Sequence, residues 1–389
     1  MSEAPRSLHV IGGKGLGGAE GFFIRLVNAL ARRGEAVAAV TVGNGEIARA
    51  IDPAVRHYHA PMLGSWDLYS RWKINRCIAD FRPDVVQTYM GRATRIVRLP
   101  RGRAPVHLAR LGGFYNLKGY RHAHAWVGNT RGIHDYLIEH SLPAAQVHQI
   151  GNFVDAPPRL DATALDALRA QLGLRGCRVV LGLGRLHVNK GWADLLRAFA
   201  RLETLAPPPH PNPPPPAGEG ANVMPTPINA PLHLLMVGDG PLRGELEALS
   251  AELGIAARVH WAGWKHDPAP YYQLADVFVC ASVHEPLGNV ILEAWANRAL
   301  VVSTRAQGPQ ELMQDGVNGL LAPLADAAGL AAVLQRALAL DAGQRERLIE
   351  AGADEVERQY SESAIVSTYA ALYARLRNAV RADITGIVQ

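Results

Sequence analysis

The chain has 389 residues, of which 48% are hydrophobic and 19% are charged, a composition that is ordinary for a soluble globular protein. A chain of this length exceeds one compact core, so we expect two domains. No apolar run approaches the roughly 18 residues of a membrane span, no signal peptide opens the sequence, and the three cysteines show neither disulfide nor metal spacing. We therefore expect a cytoplasmic protein with reduced thiols.

The charge is unevenly distributed along the chain. Residues 1–150 contain 20 Lys and Arg against 10 Asp and Glu, and the totals of 40 and 35 leave 20 against 25 for the remainder. The stretch 85–134 has no acid but nine bases: Arg92, Arg95, Arg98, Arg101, Arg103, Arg110, Lys118, Arg121 and Arg131. Such a surface attracts anionic lipid headgroups, phosphorylated glycolipid or nucleic acid, and a solvated basic face without a partner is an equally good interpretation.

A strand, a glycine-rich turn, a helix and a second strand open the chain. They are predicted at Leu8–Ile11, 12–18, Ala19–Arg33 and Ala36–Val42. This βαβ order predicts a parallel, doubly wound sheet. The turn matches G-x-G-x-x-G at Gly13, Gly15 and Gly18, but no acid ends the second strand to hold a ribose, which argues against a dinucleotide. Its glycines still allow the backbone to approach a ligand closely.

The alternation continues through a first domain that we end at residue 153, before a hinge at Pro157 and Pro158. Its further strands are predicted at Val55–His59, Asp84–Thr88, Val106–Ala109, Ala125–Gly128 and Val147–Ile150, and its helices at Trp66–Phe81 and Thr130–His140. A second α/β domain is predicted over 154–360, and a terminal helix over 361–389. The proline-rich segment 207–231 predicts a disordered or polyproline insertion in a loop, where added length costs little.

Further strands and helices are predicted in the second domain and at the C-terminus. The strands are Arg178–Leu183, Leu232–Val237, Val259–Ala262 and Leu300–Ser303, and the helices are Trp192–Leu205, Leu242–Leu253, Gln310–Gln314 and Glu362 to about Val380.

The clearest indication of a functional site is the stretch 275–296, ADVFVCASVHEPLGNVILEAWA. An apolar run at 277–279 predicts a buried strand, a polar turn follows, and a helix begins with Asn289 as its expected N-cap. Glu285 stands before this helix, and Glu293 is expected in its first turn.

Between these two carboxylates lie the backbone amides of Gly288, Asn289 and Val290, at the positive end of the helix dipole. Such an end holds a phosphate, and flanking carboxylates accept hydrogen bonds from the hydroxyl groups that the phosphate carries. The pattern predicts a nucleotide-sugar site. The alternative, on these residues alone, is that Glu293 complements the helix dipole and Glu285 is a solvated loop residue.

Four motifs follow one another in a specific order: GLGGAE at 15–20, GRLHVNKG at 184–191, VGDGPL at 237–242 and the E-x7-E element EPLGNVILE at 285–293. Through these four motifs and their order, the chain resembles the retaining group-1 glycosyltransferases of the glycosyltransferase family 4 type. The resemblance implies a GT-B fold, in which two Rossmann-like doubly wound domains face each other across a cleft. It also implies that the terminal helix, 361–389, returns to the N-terminal domain.

The resemblance implies a role for each matched residue. Arg185 and Lys190 would neutralise the donor diphosphate and stabilise the leaving nucleotide, and no D-x-D pair or His/Cys cluster indicates a metal ion. Glu285 would bind hydroxyl groups of the transferred sugar, and Glu293 those of the ribose. The remaining donor-binding residues are backbone groups: Gly15, Gly17, Gly18, Gly288, Asn289 and Val290.

One region departs from the family pattern, because many members carry a histidine after the fifth strand of the N-terminal domain. Here the region reads HLARLGGFYN, in which His107 is predicted inside the strand as a core or edge residue. Arg110 is predicted in the following turn and is our candidate for contact with an anionic acceptor.

We therefore expect a metal-independent glycosyltransferase without a cofactor, which moves a sugar from a nucleotide-diphospho-sugar to a glycan or glycolipid of the lipopolysaccharide core or exopolysaccharide type. The basic stretch 85–134 favours a peripheral position on an anionic membrane, at its inner face. Two alternatives stay open. One is a GT-B nucleotide-sugar epimerase or phosphorylase, and the other is a non-catalytic basic protein that binds nucleic acid, which the intact set of charged motif residues argues against.

Overall fold

The computed structural model describes residues 4–13, 15, 17–64, 66–155, 157–205 and 230–386. The chain divides into two compact units, the first formed by Met1–Phe153 with Gln359–Gln389 and the second by Val154–Arg358. Each unit contains one sheet of parallel strands, which confirms the predicted doubly wound α/β class. The predicted insertion 207–231 lies outside the described residues, apart from its last two positions.

The sheet of the first unit has the order β3-β2-β1-β4-β5-β6-β7. Its strands are β1 (Ser7–Ile11), β2 (Val37–Thr41), β3 (Arg56–His59), β4 (Val85–Tyr89), β5 (Val106–Leu111), β6 (Ala125–Gly128) and β7 (Val147–Gln149). The helices that follow these strands are α1 (Gly18–Arg32), α2 (Glu46–Arg49), α3 (Leu68–Phe81), α4 (Met90–Ile96) and α5 (Arg131–Glu139).

Two core layers cover the faces of this sheet. Successive residues of a strand point to opposite faces, so Ile11 packs with Phe22 of α1 in one layer while Val10 packs with Ile74 and Phe81 of α3 in the other. The first unit is therefore a three-layer α/β/α structure.

The sheet of the second unit has the order β10-β9-β8-β11-β12-β13. Its strands are β8 (Arg178–Leu183), β9 (Leu232–Val237), β10 (Val259–Gly263), β11 (Val277–Cys280), β12 (Val301–Thr304) and β13 (Leu320–Ala322). Its helices are α6 (Ala162–Gln171), α7 (Trp192–Leu205), α8 (Arg243–Glu252), α9 (Ala269–Leu274), α10 (Asn289–Ala296), α11 (Gln307–Leu312), α12 (Ala327–Ala339) and α13 (Ala342–Glu355). Leu195 and Phe199 of α7 and Leu334 of α12 lie in one buried cluster with Val180 and Val279 of the sheet.

The last helix, α14 (Glu362–Gly386), belongs to the first unit. Its Tyr369 and Tyr373 are buried in the core layer of α1. The Tyr373 hydroxyl donates to Gln87 Oε1 at 2.7 Å, and Arg110 Nε donates to the Tyr369 hydroxyl at 3.3 Å. The far end of the chain thus completes the core of the first unit.

Two local predictions are wrong. Strand β5 continues to Leu111, so Arg110 lies in the strand and not in the turn after it. The helix predicted at Gln310–Gln314 is α11, which begins three residues earlier and holds Pro309 near its start. Proline is tolerated there because the first N–H groups of a helix have no acceptor within it.

In the ranges that the structure describes, no helix combines the length and the apolar character that crossing a bilayer requires.

Candidate functional site

The predicted donor-site residues of the second unit lie after the carboxyl ends of β8, β9 and β11. Strand β8 ends at Leu183, and the motif 184–191 continues from it as a loop with a short 3-10 turn before α7. The loop is held at its start by the Trp192 indole, whose Nε1 donates to the Arg185 carbonyl oxygen at 2.9 Å. At its end, Gly191 has a positive φ of 64°, and a Cβ built there would lie 2.0 Å from the carbonyl oxygen of Ala281.

The second motif, at 237–242, packs backbone to backbone against the first. Gly238 has a φ of 139°, and a Cβ built on it would lie 1.9 Å from the Gly184 carbonyl oxygen. Leu186 N donates to the Asp239 carbonyl oxygen at 3.0 Å, which joins the two loops directly. Glycine is required at 238 because both the positive φ and this close approach exclude a side chain.

At the carboxyl end of β11, two predicted site residues of opposite charge come together. Lys190 Nζ forms an ion pair with Glu285 Oε2, and Ser282 Oγ donates to the same oxygen at 3.0 Å. Only 26% of the Lys190 side chain and 12% of the Glu285 side chain are exposed. Val283 N donates to the Asn189 carbonyl oxygen at 2.9 Å, so the two loops are also joined through their backbones.

Arg185 differs from Lys190 because its side chain is exposed. Among the residues that the structure describes, its guanidinium has neither a hydrogen-bond acceptor nor an ion-pair partner. A planar guanidinium with five donors is well suited to bind phosphate oxygens.

Helix α10 begins beside this pair, but two details of the prediction are wrong. The N-cap is Gly288, with a φ of 96°, and not Asn289, which is the first helical residue. Glu293 is the fifth residue of the helix and so lies beyond its first turn. The first bond within the helix runs from Ile291 N to the Gly288 carbonyl oxygen at 2.9 Å, which leaves the amides of residues 288–290 outside the helical pattern.

Glu293 is positioned by a residue that the sequence does not single out. The Tyr272 hydroxyl, on α9, donates to Glu293 Oε2 at 3.1 Å. Burial, and next the charge of Glu293, raise the pKa of Tyr272 well above its ordinary value, so the phenol stays protonated as a donor. Ser282, the partner of Glu285, lies only three residues before it but belongs to none of the motifs, whereas Tyr272 lies 21 residues before Glu293.

The glycine turn belongs to the first unit. Gly17 is the N-cap of α1 with extended backbone, and Gly18 is the first residue of that helix. Lys14 and Leu16 lie outside the described residues. Glu20 lies against this turn, because a Cβ built on Gly17 would lie 2.9 Å from Glu20 Oε2.

Arg110 is 3% exposed, and the side chains that it contacts in the described part of the first unit are neutral ones. Its guanidinium donates to Asn152 Oδ1 and to the Tyr369 hydroxyl and lies 4.0 Å from the centroid of the Phe22 ring. These contacts hold Arg110 in the core, and contact with an acceptor stays a prediction. His107 lies inside β5 and is fully buried, as predicted.

Within the described ranges, no cluster of three or more His, Cys, Asp or Glu side chains could hold a metal ion. The charged predicted site residues of the second unit are Arg185 and Lys190 in the loop after β8, Glu285 before α10 and Glu293 within that helix. Together they offer cations and amides to an anion, and carboxylates to hydroxyl groups.

Comparison with known proteins agrees with this geometry. A family model described as "Glycosyl transferases group 1" matches residues 177–339, and one described as "Glycosyltransferase Family 4" matches residues 16–156. The lipopolysaccharide core biosynthesis glycosyltransferase LpsE of Rhizobium meliloti is 34% identical over 363 residues, which cover 92% of this chain and 96% of that protein. LpsD of the same organism is 31% identical over 371 residues, with coverage of 92% and 95%.

Solved structures show the same fold. A glycosyltransferase from Rickettsia africae has a TM-score of 0.79 at 18% identity and covers 96% of this chain and 99% of its own. The Anabaena HepE complex with UDP and glucose has a TM-score of 0.77 at 18% identity, with coverage of 95% and 100%. The two parallel sheets and these neighbours define the GT-B fold. The chain belongs to the group-1 glycosyltransferases, which confirms the resemblance.

Proposed function

We propose that this glycosyltransferase moves a sugar, with retention of anomeric configuration and without a metal ion, from a nucleotide-diphospho-sugar to a glycolipid or glycan of the lipopolysaccharide core or exopolysaccharide type. The observation that carries the proposal is the Lys190–Glu285 ion pair, which joins the loop after β8, where Arg185 also lies, to the loop after β11 that leads into α10. The names of the Rhizobium relatives support the acceptor class, and the UDP bound in HepE supports the donor class.

The chemistry of transfer explains why these groups are needed. Breaking the anomeric bond creates an oxocarbenium-like centre and leaves growing negative charge on the nucleoside diphosphate. Arg185, Lys190 and the amides of α10 would stabilise that charge, because preorganised donors lower the barrier most where charge develops. Lys190 has three N–H donors, so it can bind a phosphate oxygen without losing contact with Glu285.

The donor is identified by thermal stabilisation with UDP-, GDP- and ADP-sugars. At about 100 times its dissociation constant, a true donor adds roughly 2.7 kcal/mol to the free energy of unfolding. Arg185→Ala should abolish most of this stabilisation, whereas Arg336→Ala, which removes an exposed arginine from α12, should leave it unchanged. Stabilisation by no nucleotide sugar, or equal stabilisation of the Arg185 variant, would overturn the proposal.

Three readouts test the reaction itself. Transfer to a glycolipid acceptor yields a product heavier by one sugar, whereas an isomerised nucleotide sugar or a sugar phosphate would establish the epimerase or phosphorylase alternative. The proton coupling constant of the new anomeric centre reports retention or inversion. Full activity in excess EDTA is expected, and loss of activity that Mg²⁺ or Mn²⁺ restores would refute metal independence.

A position at the inner face of the membrane is the remaining part of the proposal. Some cations of the stretch 85–134 donate to backbone carbonyl oxygens and are engaged within the unit: Arg92, Arg101 and Arg121. All three of these arginines are exposed, and a second exposed group lines one groove: Arg95, Arg98 and Lys118. The second group supports attraction to an anionic surface.

A further inference from the structure

Large exposed hydrophobic side chains concentrate within ten residues of the first unit. They are Leu63 (78% exposed), Trp66 (84%), Leu68 (71%), Tyr69 (57%) and Trp72 (52%), and together we name them the aromatic ridge. Contiguous apolar groups of this kind on a protein surface mark an interaction site more often than isolated ones.

The core does not need this ridge. Helix α3 packs its opposite face, with Ile74, Cys77 and Phe81, into the core layer of Val10. Asp67 is the N-cap of α3 and accepts hydrogen bonds from Leu63 N and Ser70 N, both at 2.9 Å. Asp67 therefore holds the backbone at Leu63 and at the start of α3, while the ridge side chains are exposed.

Cations surround the ridge. Trp66 shares a groove of about 250 Å³ with Arg95, Arg98 and Lys118. On α3 itself, Lys73 Nζ lies 5.6 Å from the centroid of the Tyr69 ring, and the Arg76 guanidinium lies 5.2 Å from that of Trp72.

The carboxylates of α3 and its cap offset little of this charge. Asp80 forms an ion pair with Arg56, and Asp67, which stays ionised as the N-cap, offsets one of the five cations named above. The surface therefore combines an apolar centre with a basic margin.

We propose that the aromatic ridge inserts into the interface of an anionic lipid bilayer, while the surrounding cations bind the lipid headgroups. Tryptophan and tyrosine favour the boundary between headgroups and acyl chains, and leucine side chains reach into that boundary. This inference rests on the proposed function, since it places the enzyme where a glycolipid acceptor lies.

Two other occupants fit less well. A second copy of the chain would bring one basic margin against another, which is unfavourable. A single-stranded nucleic acid would stack on Trp66, Tyr69 and Trp72 but would leave Leu63 and Leu68 exposed.

The test is co-sedimentation with vesicles of phosphatidylcholine containing 30% phosphatidylglycerol, at roughly physiological salt where the Debye length is about 8 Å. The wild type should bind these vesicles and bind pure phosphatidylcholine much more weakly. Trp66→Ser with Trp72→Ser should weaken binding by about tenfold or more, since each change removes a large apolar side chain that the bilayer would bury. Neutralising Arg95, Arg98 and Lys118 to Gln should weaken it about a hundredfold, at about fivefold for each cation.

Matched controls remove the same groups from elsewhere. Leu324→Ser deletes an exposed leucine of the second unit, and the triple change of Arg49, Arg336 and Arg347 to Gln removes equal charge from residues that belong neither to the ridge nor to its groove. Arg49 lies on α2, whose Ile47 packs in the core layer on the other face of the sheet. Both controls should bind vesicles like the wild type, and Trp66→Phe with Trp72→Phe should retain part of the affinity.

The outcomes separate this inference from the function on which it rests. Vesicle binding is measured without donor or acceptor, and donor stabilisation is measured without vesicles. No binding of folded wild type to anionic vesicles, or equal binding by the ridge variants, would overturn the inference and leave the donor assignment intact. The Trp66 and Trp72 changes could instead have their main effect on another occupant. If they abolish a dimer in sedimentation velocity, the ridge binds a second copy of the chain, and if they abolish oligo(dT) binding, it binds single-stranded nucleic acid.

Discussion

At the scale of single residues, the site depends on side chains that fix the orientation of other side chains. Glu285 is held by Lys190 and Ser282, and Glu293 by the buried hydroxyl of Tyr272. The charged members of these pairs can be predicted from sequence, because the motifs carry them. Their partners cannot, because Tyr272 lies on a different helix from Glu293, and Ser282, three residues before Glu285, belongs to none of the motifs.

Tyr272→Phe should raise the dissociation constant of the donor nucleotide about tenfold with little change in kcat, because it removes one hydrogen bond to a carboxylate. The measurement is calorimetric titration with the nucleotide. Tyr271→Phe deletes the same atom from the neighbouring residue and should bind normally. With a nucleotide that lacks the ribose 2′- and 3′-hydroxyl groups, the difference between the Tyr272 variant and the wild type should disappear. Equal affinity of the Tyr272 variant for the full nucleotide would contradict the role given to this phenol.

Arg110 is a buried cation that is satisfied by an amide, a phenol and an aromatic ring. Arg110→Met should lower the free energy of unfolding by about 3 kcal/mol, because Asn152 and Tyr369 lose their donor in a buried place. Urea denaturation measures this, and the exposed Arg103→Met should change stability by less than about 0.5 kcal/mol. A stable Arg110 variant with a raised KM for the acceptor would instead support the predicted acceptor contact.

At the scale of elements, buried apolar runs predict strands and helices well. The predicted bounds of β6, β8, β9 and α7 equal those of the structure. Other elements were missed or misplaced for physical reasons. Helix α4 has no acid in its first turn and begins at Met90 with a positive φ of 63°, so it carries no ordinary start signal. Strand β5 runs two residues past its predicted end because Arg110 is satisfied inside the core.

Strand β1 carries a buried histidine that makes stability depend on pH. His9 is fully buried between Tyr89 and Ser7, and burial lowers its pKa from 6.5 to about 3. The unfolded chain therefore binds more protons than the folded one between these values, so stability is complete above pH 6.5 and is lost as the pH falls toward 3. From pH 7 to pH 5, this residue should lower the free energy of unfolding by about 2 kcal/mol.

The measurement is urea denaturation of the wild type and of His9→Gln at both pH values. The variant should lack this 2 kcal/mol contribution to the pH dependence, whereas the exposed His266→Gln should keep it. An unchanged pH dependence in the His9 variant would show that His9 is not the group responsible.

At the scale of the whole molecule, the first unit is built from both ends of the chain. Five buried apolar side chains of α14 join its core: Ile365, Val366, Tyr369, Leu372 and Tyr373. At 1.5–3 kcal/mol for each, their burial contributes roughly 10 kcal/mol, which is comparable to the whole stability of a domain.

A chain that ends at residue 358 should therefore lose the folded first unit and keep the second. Calorimetry should show the loss of one unfolding transition, and the remaining transition should still shift upward with the donor nucleotide. Two transitions in the truncated protein would contradict the contribution given to α14.

Within the first unit, the two places where the chain leaves and returns are neighbours. A Cβ built on Gly151 would lie 3.0 Å from the Tyr360 ring, so residues 153 and 359 stand close to the same point. The second unit is thus a continuous segment of the chain, inserted into the first unit between two positions that lie close together in space. Exchanging this segment for the corresponding segment of a relative requires only two junctions. A short linker from residue 153 to residue 359 should give a continuous linear chain that contains the first unit alone.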